Sequence, residues 1–192
     1  MILDVGAGDV KRGDIGVDVH RGKAVDVVGH AEYLPFASNI FDVVRHHCLL
    51  EHLGNPLQAL REQWRVLLPN GLLRFVTDNA AYWRFYFKGS GAHMGGYVSR
   101  GVNDRHYAIF TSEHVRNLAK EAGFEEVKVF FEDIHEGPLK SIERAVRKSV
   151  RLEHLTYPRI GMEAMKSPKM DHFNTKTTSQ RTATVGTVVF PV

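Results

Sequence analysis

The stretch Ile2-Leu3-Asp4-Val5-Gly6-Ala7-Gly8, followed by Asp14-Ile15-Gly16-Val17-Asp18-Val19, decides how this chain folds. The first run reads as a short apolar strand ending in glycines, and the second alternates and ends on an acid. A glycine-rich turn after a first strand lets the backbone approach a ligand closely, because glycine has no side chain and tolerates unusual dihedrals. Asp18, closing the second strand, can accept hydrogen bonds from both hydroxyls of a ribose. A Gly-x-Gly pair alone fits an ordinary turn or several nucleotide ligands. Two features narrow the choice. Position 11, where a dinucleotide fingerprint needs a third glycine, is Lys11, and only about ten residues separate Gly8 from Asp18, roughly half the dinucleotide spacing. A full crossover helix has no room there, so a nicotinamide or flavin pyrophosphate would lack the helix start that normally holds it.

Downstream, strand-like and helix-like segments alternate, which points to a parallel α/β sheet. Further strands are expected at Ala24–Val28, Phe41–Arg45, Leu72–Val76, Val127–Phe131 and Thr184–Phe190, with a turn and short helix at Glu32–Phe36. A helix is expected from Pro56 to Leu67, with Leu57, Leu60, Trp64 and Leu67 on its apolar face and Pro69-Asn70-Gly71 as its stop. Another is expected from Ser112 to Ala122, capped by Thr111 or Ser112 and ended by Gly123. A third, from Leu139 to about Arg151, separates an apolar side (Leu139, Ile142, Val146, Val150) from a cationic one (Lys140, Arg144, Arg147, Lys148, Arg151). That side reads as a solvated face or as a platform for an anionic acceptor such as RNA, a phosphorylated sugar or a lipid surface. Residues 79–110 and 138–182 fall outside the regular alternation and read as inserted loops, either functional or disordered, the polar run Met162–Arg181 among them.

The chain has 192 residues, 43% of them hydrophobic and 24% charged, a composition typical of a globular domain. No apolar run approaches the roughly 20 residues of a membrane span. Nor does the start at Met1-Ile2-Leu3 have the cationic and small-residue features of a signal peptide. Cys48 is the single cysteine, so neither a disulfide framework nor a cysteine zinc site is expected within one chain. A cytoplasmic protein is expected. The net charge of +3 is too small to imply nucleic acid by itself. Eleven histidines are scattered with no pair at helical zinc spacing, and no metal site is expected from the sequence.

Several segments, in order, resemble class I S-adenosylmethionine-dependent methyltransferases of the type-11 group. Leu3-Asp4-Val5-Gly6-Ala7-Gly8 looks like their first motif and Gly16-Val17-Asp18-Val19 like their second, acidic one. Gly29-His30-Ala31-Glu32-Tyr33-Leu34-Pro35-Phe36 is similar to a Gly-Asp-Ala-Glu-x-Leu-Pro-Phe segment. Phe41-Asp42-Val43-Val44 with Leu50-Glu51-His52-Leu53 resembles the fourth-strand signature. Arg65 to Gly71 resembles an Arg-Val-Leu-Lys-Pro-Gly-Gly turn, and His106 to Phe124 a later Phe-Thr … Ala-Gly-Phe segment. The likeness covers roughly residues 2 to 130. It departs in the shortened first crossover, in an open N-terminal edge and in His30, which stands where the family carries an acid beside the adenine.

The resemblance implies a Rossmann-like, seven-stranded, mostly parallel sheet of order 3-2-1-4-5-7-6 with the last strand antiparallel. Helices would flank it, the first of them short or missing. Residues 1–192 would then form one methyltransferase domain. Also by resemblance, Asp4, Gly6, Ala7 and Gly8 would hold the methionine end of S-adenosylmethionine, Asp18 the ribose, and Val19, His30 and Ala31 the adenine. His46 or His47 would lie near the methionine portion. Asp4 can alternatively be a structural acid that ties down the loop.

A sulfonium donor already carries an activated methyl and a good leaving group, so the enzyme mainly positions a nucleophile in line behind it. A base is needed only for a protonated, weakly acidic acceptor. His106 is the first candidate and His47 the next, with His46 and His52 also in view. Tyr82, Trp83, Tyr86 and Tyr107 are candidates for an apolar acceptor pocket; Trp83 and Phe87 at i and i+4 equally suit ordinary helix packing. The expected activity is methyl transfer to an unidentified oxygen or nitrogen acceptor, leaving S-adenosyl-L-homocysteine. Rival readings are a non-catalytic S-adenosylmethionine-binding regulatory or partner protein, and an RNA-binding module on a Rossmann core.

Overall fold

The computed structural model of the chain describes residues 1–83, 97–99, 102–104, 106–132 and 153–168. Strands β1 (Ile2–Val5), β2 (Ile15–Asp18), β3 (Val27–Val28), β4 (Phe41–His47) and β5 (Leu67–Asp78) form the parallel part of a seven-stranded sheet. Helix α1 (Pro56–Val66) joins β4 to β5. After a small hairpin of β6 (Tyr97–Ser99) and β7 (Val102–Asp104) come α2 (Ser112–Glu121) and β8 (Phe124–Glu132). A short helix, α3 (Glu153–Thr156), precedes β9 (Arg159–Lys166), which runs antiparallel between β5 and β8. The order β3-β2-β1-β4-β5-β9-β8 is the one expected from the sequence.

One strand comes from a different segment than expected. The seventh place in the sheet is filled by Arg159–Lys166, whereas Thr184–Phe190 lies outside the described residues. Arg-Ile-Gly-Met-Glu-Ala-Met-Lys has modest strand propensity, but its register against β5 and β8 buries Ile160, Met162 and Ala164. Packing context outweighs intrinsic preference in such central strands. Gly161 is required there: a Cβ would fall 1.9 Å from the Phe130 ring. The cationic stretch 139–151 also lies outside the described residues.

No helix follows β1. Residues 9–14 instead double back along it, Asp14 N–H donating to Ile2 O at 2.8 Å and Ile2 N–H to Asp14 Oδ2 at 2.7 Å. Glu32–Phe36 likewise forms turns without the short helix expected, because helix α1 supplies its hydrogen bonds. Arg65 donates to Phe36 O (2.8 Å) and Leu34 O (3.0 Å), while Glu62 accepts from Leu34 N–H (2.9 Å). The Arg65 guanidinium, bonded to Glu62, holds that carboxyl below its ordinary range.

Helix α1 begins at Asn55, whose side chain accepts from Gln58 N–H, with Pro56 in the first turn. Helix α2 begins at Thr111 in a capping box closed by His114. The two helices meet where Trp64 Nε1 donates to Gly123 O at 3.0 Å. Beneath them Leu3, Val5, Phe41, Val44, Leu60, Phe75, Ile160 and Met162 are fully buried. Apolar area removed from water on this scale is the main stabilising term. The parallel strands therefore place all their carboxyl ends on one edge, where ligands of such sheets bind.

Candidate active site

On that edge the glycine loop is drawn onto β2. Gly6 N–H and Ala7 N–H both donate to Val17 O, at 2.7 and 3.2 Å, and Gly8 N–H donates to Asp18 Oδ2 at 3.1 Å. Asp18 Oδ1 accepts from His20 N–H at 2.9 Å. Each carboxylate oxygen keeps a second lone pair, so Asp18 can fasten the loop and still accept from a ribose. Gly6 and Gly8 adopt φ of +74° and +54°, a region that L side chains rarely enter. A Cβ on Gly6 would also approach Leu49 Cδ1 to 3.0 Å. Leu49 therefore forms the wall facing the loop, a residue the sequence reading missed because only the close approach reveals it.

Asp4 is buried, and its Oδ2 accepts from Arg12 N–H at 2.7 Å. Burial raises its pKa, against the lowering effect of that bond and of the Arg12 and Arg45 charges. The structural role left open in the sequence is thus occupied: Asp4 holds the strap that replaces the missing helix. Beyond β2, Val19 is 46% exposed, and Val28 and Tyr33 are exposed as well. His30 is exposed, its Nδ1 accepting from Glu32 N–H at 3.2 Å, and its ring lies 6.2 Å from that of Tyr33. Ala31 is buried. Tyr33, absent from the sequence candidates, joins this surface because the turn after β3 brings it back against His30.

The two histidines at the end of β4 part company. His46 is buried on the sheet face, stacked on Phe75 at 4.5 Å and 10°, and neither ring nitrogen has a hydrogen-bond partner. Burial lowers its pKa to about 3, so the ring is neutral. His47 instead reaches the edge, where its Nε2 lies 3.1 Å from Arg159 Nη1 and 3.9 Å from Glu132 Oε2. Burial, with the Arg159 charge next, holds its pKa below the usual imidazole value.

Beyond β5 lies a second group. His106 is buried with Nδ1 3.2 Å from Asp78 Oδ2, and its ring meets His52 edge-on at 4.6 Å. Glu51 is fully buried, its Oε2 accepting from the Thr77 hydroxyl at 2.7 Å, and desolvation raises its pKa. Glu51 O accepts from Tyr107 N–H at 2.7 Å, which ties the His106 segment to the turn after β4. Cys48 has φ of +51°, and burial, helped by Glu51, pushes its thiol up to about 12.

Among the aromatic candidates, Tyr82 is half-buried against Trp83, their rings 6.4 Å apart, and Trp83 and Tyr107 are exposed. Tyr86 and Phe87 lie outside the described residues. The sheet order and the loop clasped to an acid at the end of β2 are those of a Rossmann-like fold.

Residues 3–75 match the family model described as "Methyltransferase domain". It is 31% identical over 125 residues to the ubiquinone/menaquinone biosynthesis C-methyltransferase UbiE of Nitrosospira multiformis, covering 57% of this chain and 50% of that protein. It is 34% identical over 83 residues to the mitochondrial 2-methoxy-6-polyprenyl-1,4-benzoquinol methylase of Caenorhabditis elegans, covering 42% of this chain and 28% of that one. The chain thus spans half or less of the length of these curated relatives. A solved S-adenosylmethionine-dependent methyltransferase from Thermotoga maritima superimposes with a TM-score of 0.58 at 21% identity, over 86% of this chain and 81% of that one, a likeness of fold. No helix among the described residues is long and apolar enough to cross a membrane.

Proposed function

We propose that this protein binds S-adenosyl-L-methionine at the carboxyl ends of β1, β2 and β4 and transfers its methyl group in line to an oxygen or nitrogen acceptor. The observation that carries this reading is the loop Gly6–Gly8 held under Asp18 at the carboxyl end of β2, with Val19, the next residue, exposed. Asp4, Gly6, Ala7 and Gly8 would set the methionine end of the donor, Asp18 its ribose, and Val19, His30 and Ala31 its adenine. His47 would lie beside the sulfonium. His46 would contribute only its backbone, since its ring is enclosed.

The acceptor would enter past β5, with Tyr82, Trp83, Tyr86 and Tyr107 around it and His47 and His106 acting on its nucleophilic atom. On this reading residues 1–192 are one domain, and the acceptor side is drawn from 79–110 and from the parts of 138–182 outside strand β9, which belongs to the sheet. We retain a cytoplasmic setting, consistent with a single, half-buried cysteine. The names of the quinone-modifying relatives favour a second reading, a ring carbon made nucleophilic by an adjacent phenolic oxygen.

Titration calorimetry with the donor and with S-adenosyl-L-homocysteine tests cofactor binding. Absence of binding would sink the proposal and leave the RNA-binding alternative. Methyl release against a panel of hydroxyl, amine and quinol acceptors then separates an enzyme from a donor-binding partner protein.

A further inference from the structure

Three side chains from two distant parts of the chain bring ligand-type atoms together beside the acceptor edge. Glu51, His52 and His106 each place one such atom within 4.8 Å of the other two. Their sequence spacing gives no hint of this. Glu51 and His52 share the 3-10 turn Leu50–His52 after β4, whereas His106 arrives through the backbone bond from Tyr107 N–H to Glu51 O.

Two further observations point to a cation. First, Glu51 is fully buried, and while Thr77 fixes its Oε2, its Oε1 has no hydrogen-bond partner. A buried carboxylate oxygen is costly unless an electropositive group meets it. Second, His106 Nδ1 is engaged by Asp78 at 3.2 Å, the carboxylate–imidazole pairing that orients metal-binding histidines and raises their basicity.

We propose that Glu51, His52 and His106 form a binding site for a divalent transition-metal ion of the zinc type, open on the acceptor side. Two imidazoles and one carboxylate suit such an ion and leave a fourth position free. Bond lengths of about 2.0–2.1 Å put tetrahedral ligand atoms roughly 3.4 Å apart, so each needs only about 1 Å of closure.

The site's role, though not its existence, rests on the methyltransferase reading. An acceptor hydroxyl coordinated at the open position becomes more acidic. Its O–H bond breaks with the proton passing to water, and the oxygen lone pair then forms the bond to the methyl carbon. The carbon–sulfur bond breaks, its electrons staying on sulfur. His106 then acts by holding the ion.

The test uses untagged, chelator-stripped full-length protein titrated with zinc and with cobalt(II), read by calorimetry, elemental analysis after dialysis and cobalt visible absorption. One tightly held equivalent with tetrahedral-type cobalt bands is expected. Affinity should fall about 100-fold or more in His52→Ala and His106→Ala, and about 10–100-fold in Asp78→Asn. The exposed His154→Ala should bind as the parent does. Circular dichroism confirms folding; should His106→Ala fail to fold, His52→Ala and Asp78→Asn carry the comparison. No retained equivalent in the parent, or undiminished binding by His52→Ala, overturns the site and leaves a neutral, protonated Glu51 network. S-adenosylmethionine calorimetry on the same samples keeps the two proposals apart. Cation binding without donor binding sinks only the methyltransferase reading, and the reverse sinks only this one.

Discussion

Gly8 N–H donates to Asp18 Oδ2 at 3.1 Å while His20 N–H donates to Asp18 Oδ1 at 2.9 Å, so one carboxylate joins the loop after β1 to the turn after β2. Asp18→Ala removes both anchors and the proposed ribose acceptor. Stability is expected to fall by about 1–2 kcal/mol, and donor affinity by about 10- to 100-fold. Urea unfolding and calorimetry check the two effects separately. Unchanged donor affinity would remove Asp18 from the binding site while leaving its structural part intact.

The contact between Arg159 Nη1 and His47 Nε2 makes the ring nitrogen the acceptor and places the imidazole proton on Nδ1. The Arg159 charge also helps burial keep that ring neutral. Arg159→Ala should raise the His47 pKa towards the ordinary imidazole value and free its tautomer. Imidazole nitrogen NMR across a pH titration would show this. An unmoved titration curve would mean that burial alone sets the ring's state.

His46 supplies a pH dependence of stability. Its folded-state pKa of about 3 lies below the unfolded value of 6.5, so between these limits the unfolded chain binds the extra proton. Stability is therefore complete above about pH 6.5 and is lost as the pH falls below it. The expected slope is up to about 1.4 kcal/mol per pH unit. His46→Leu should flatten this part of the profile in denaturant unfolding at pH 7.5 and 5. Equal slopes in parent and variant would contradict the assignment.

Lys166 is buried with Nζ donating to Leu67 O at 2.9 Å and Asn39 Oδ1 at 2.7 Å, 3.9 Å above the Trp64 ring. Lys166→Met keeps the aliphatic stem but strands the Leu67 carbonyl and removes the cation from the ring. A loss of about 2–4 kcal/mol is expected, read as a lower urea midpoint. A change under 1 kcal/mol would show that water replaces the ammonium.

The Gly6–Asp18 side of the candidate site was legible in the sequence because its determinants are local. Gly6, Gly8 and Asp18 lie within one strand–turn–strand unit, and the interval too short for a helix announced the strap over residues 9–14. The start at Pro56 and the cap Thr111 marked both long helices for the same reason. The His47 and His106 side was only partly legible. His106 was singled out, but its partner Asp78 ends a strand whose reach beyond Val76 no pattern signalled. Arg159 opens a strand of weak propensity, and nothing near it in sequence points to His47. His46 and His47 looked equivalent as neighbours. Strand alternation turned one ring into the core and the other towards the edge.

The strap from Asp9 to Asp14 also bears on how the chain assembles. Its bonds close separations of 8 and 12 residues, Asp4 to Arg12 and Ile2 to Asp14, and the neighbouring Gly8–Asp18 bond closes one of 10. The His47–Arg159 contact closes one of 112. Loop-closure entropy grows with length, and nearby contacts form faster than distant ones. The strap and the glycine loop are therefore expected to take shape early in folding, before β9 arrives. Pulse-labelled hydrogen exchange would show Gly8 protected ahead of Ile160; simultaneous protection would mean a single concerted step. A chain built this way fixes its glycine loop through near neighbours in sequence and receives the partner of His47 only with its last described strand.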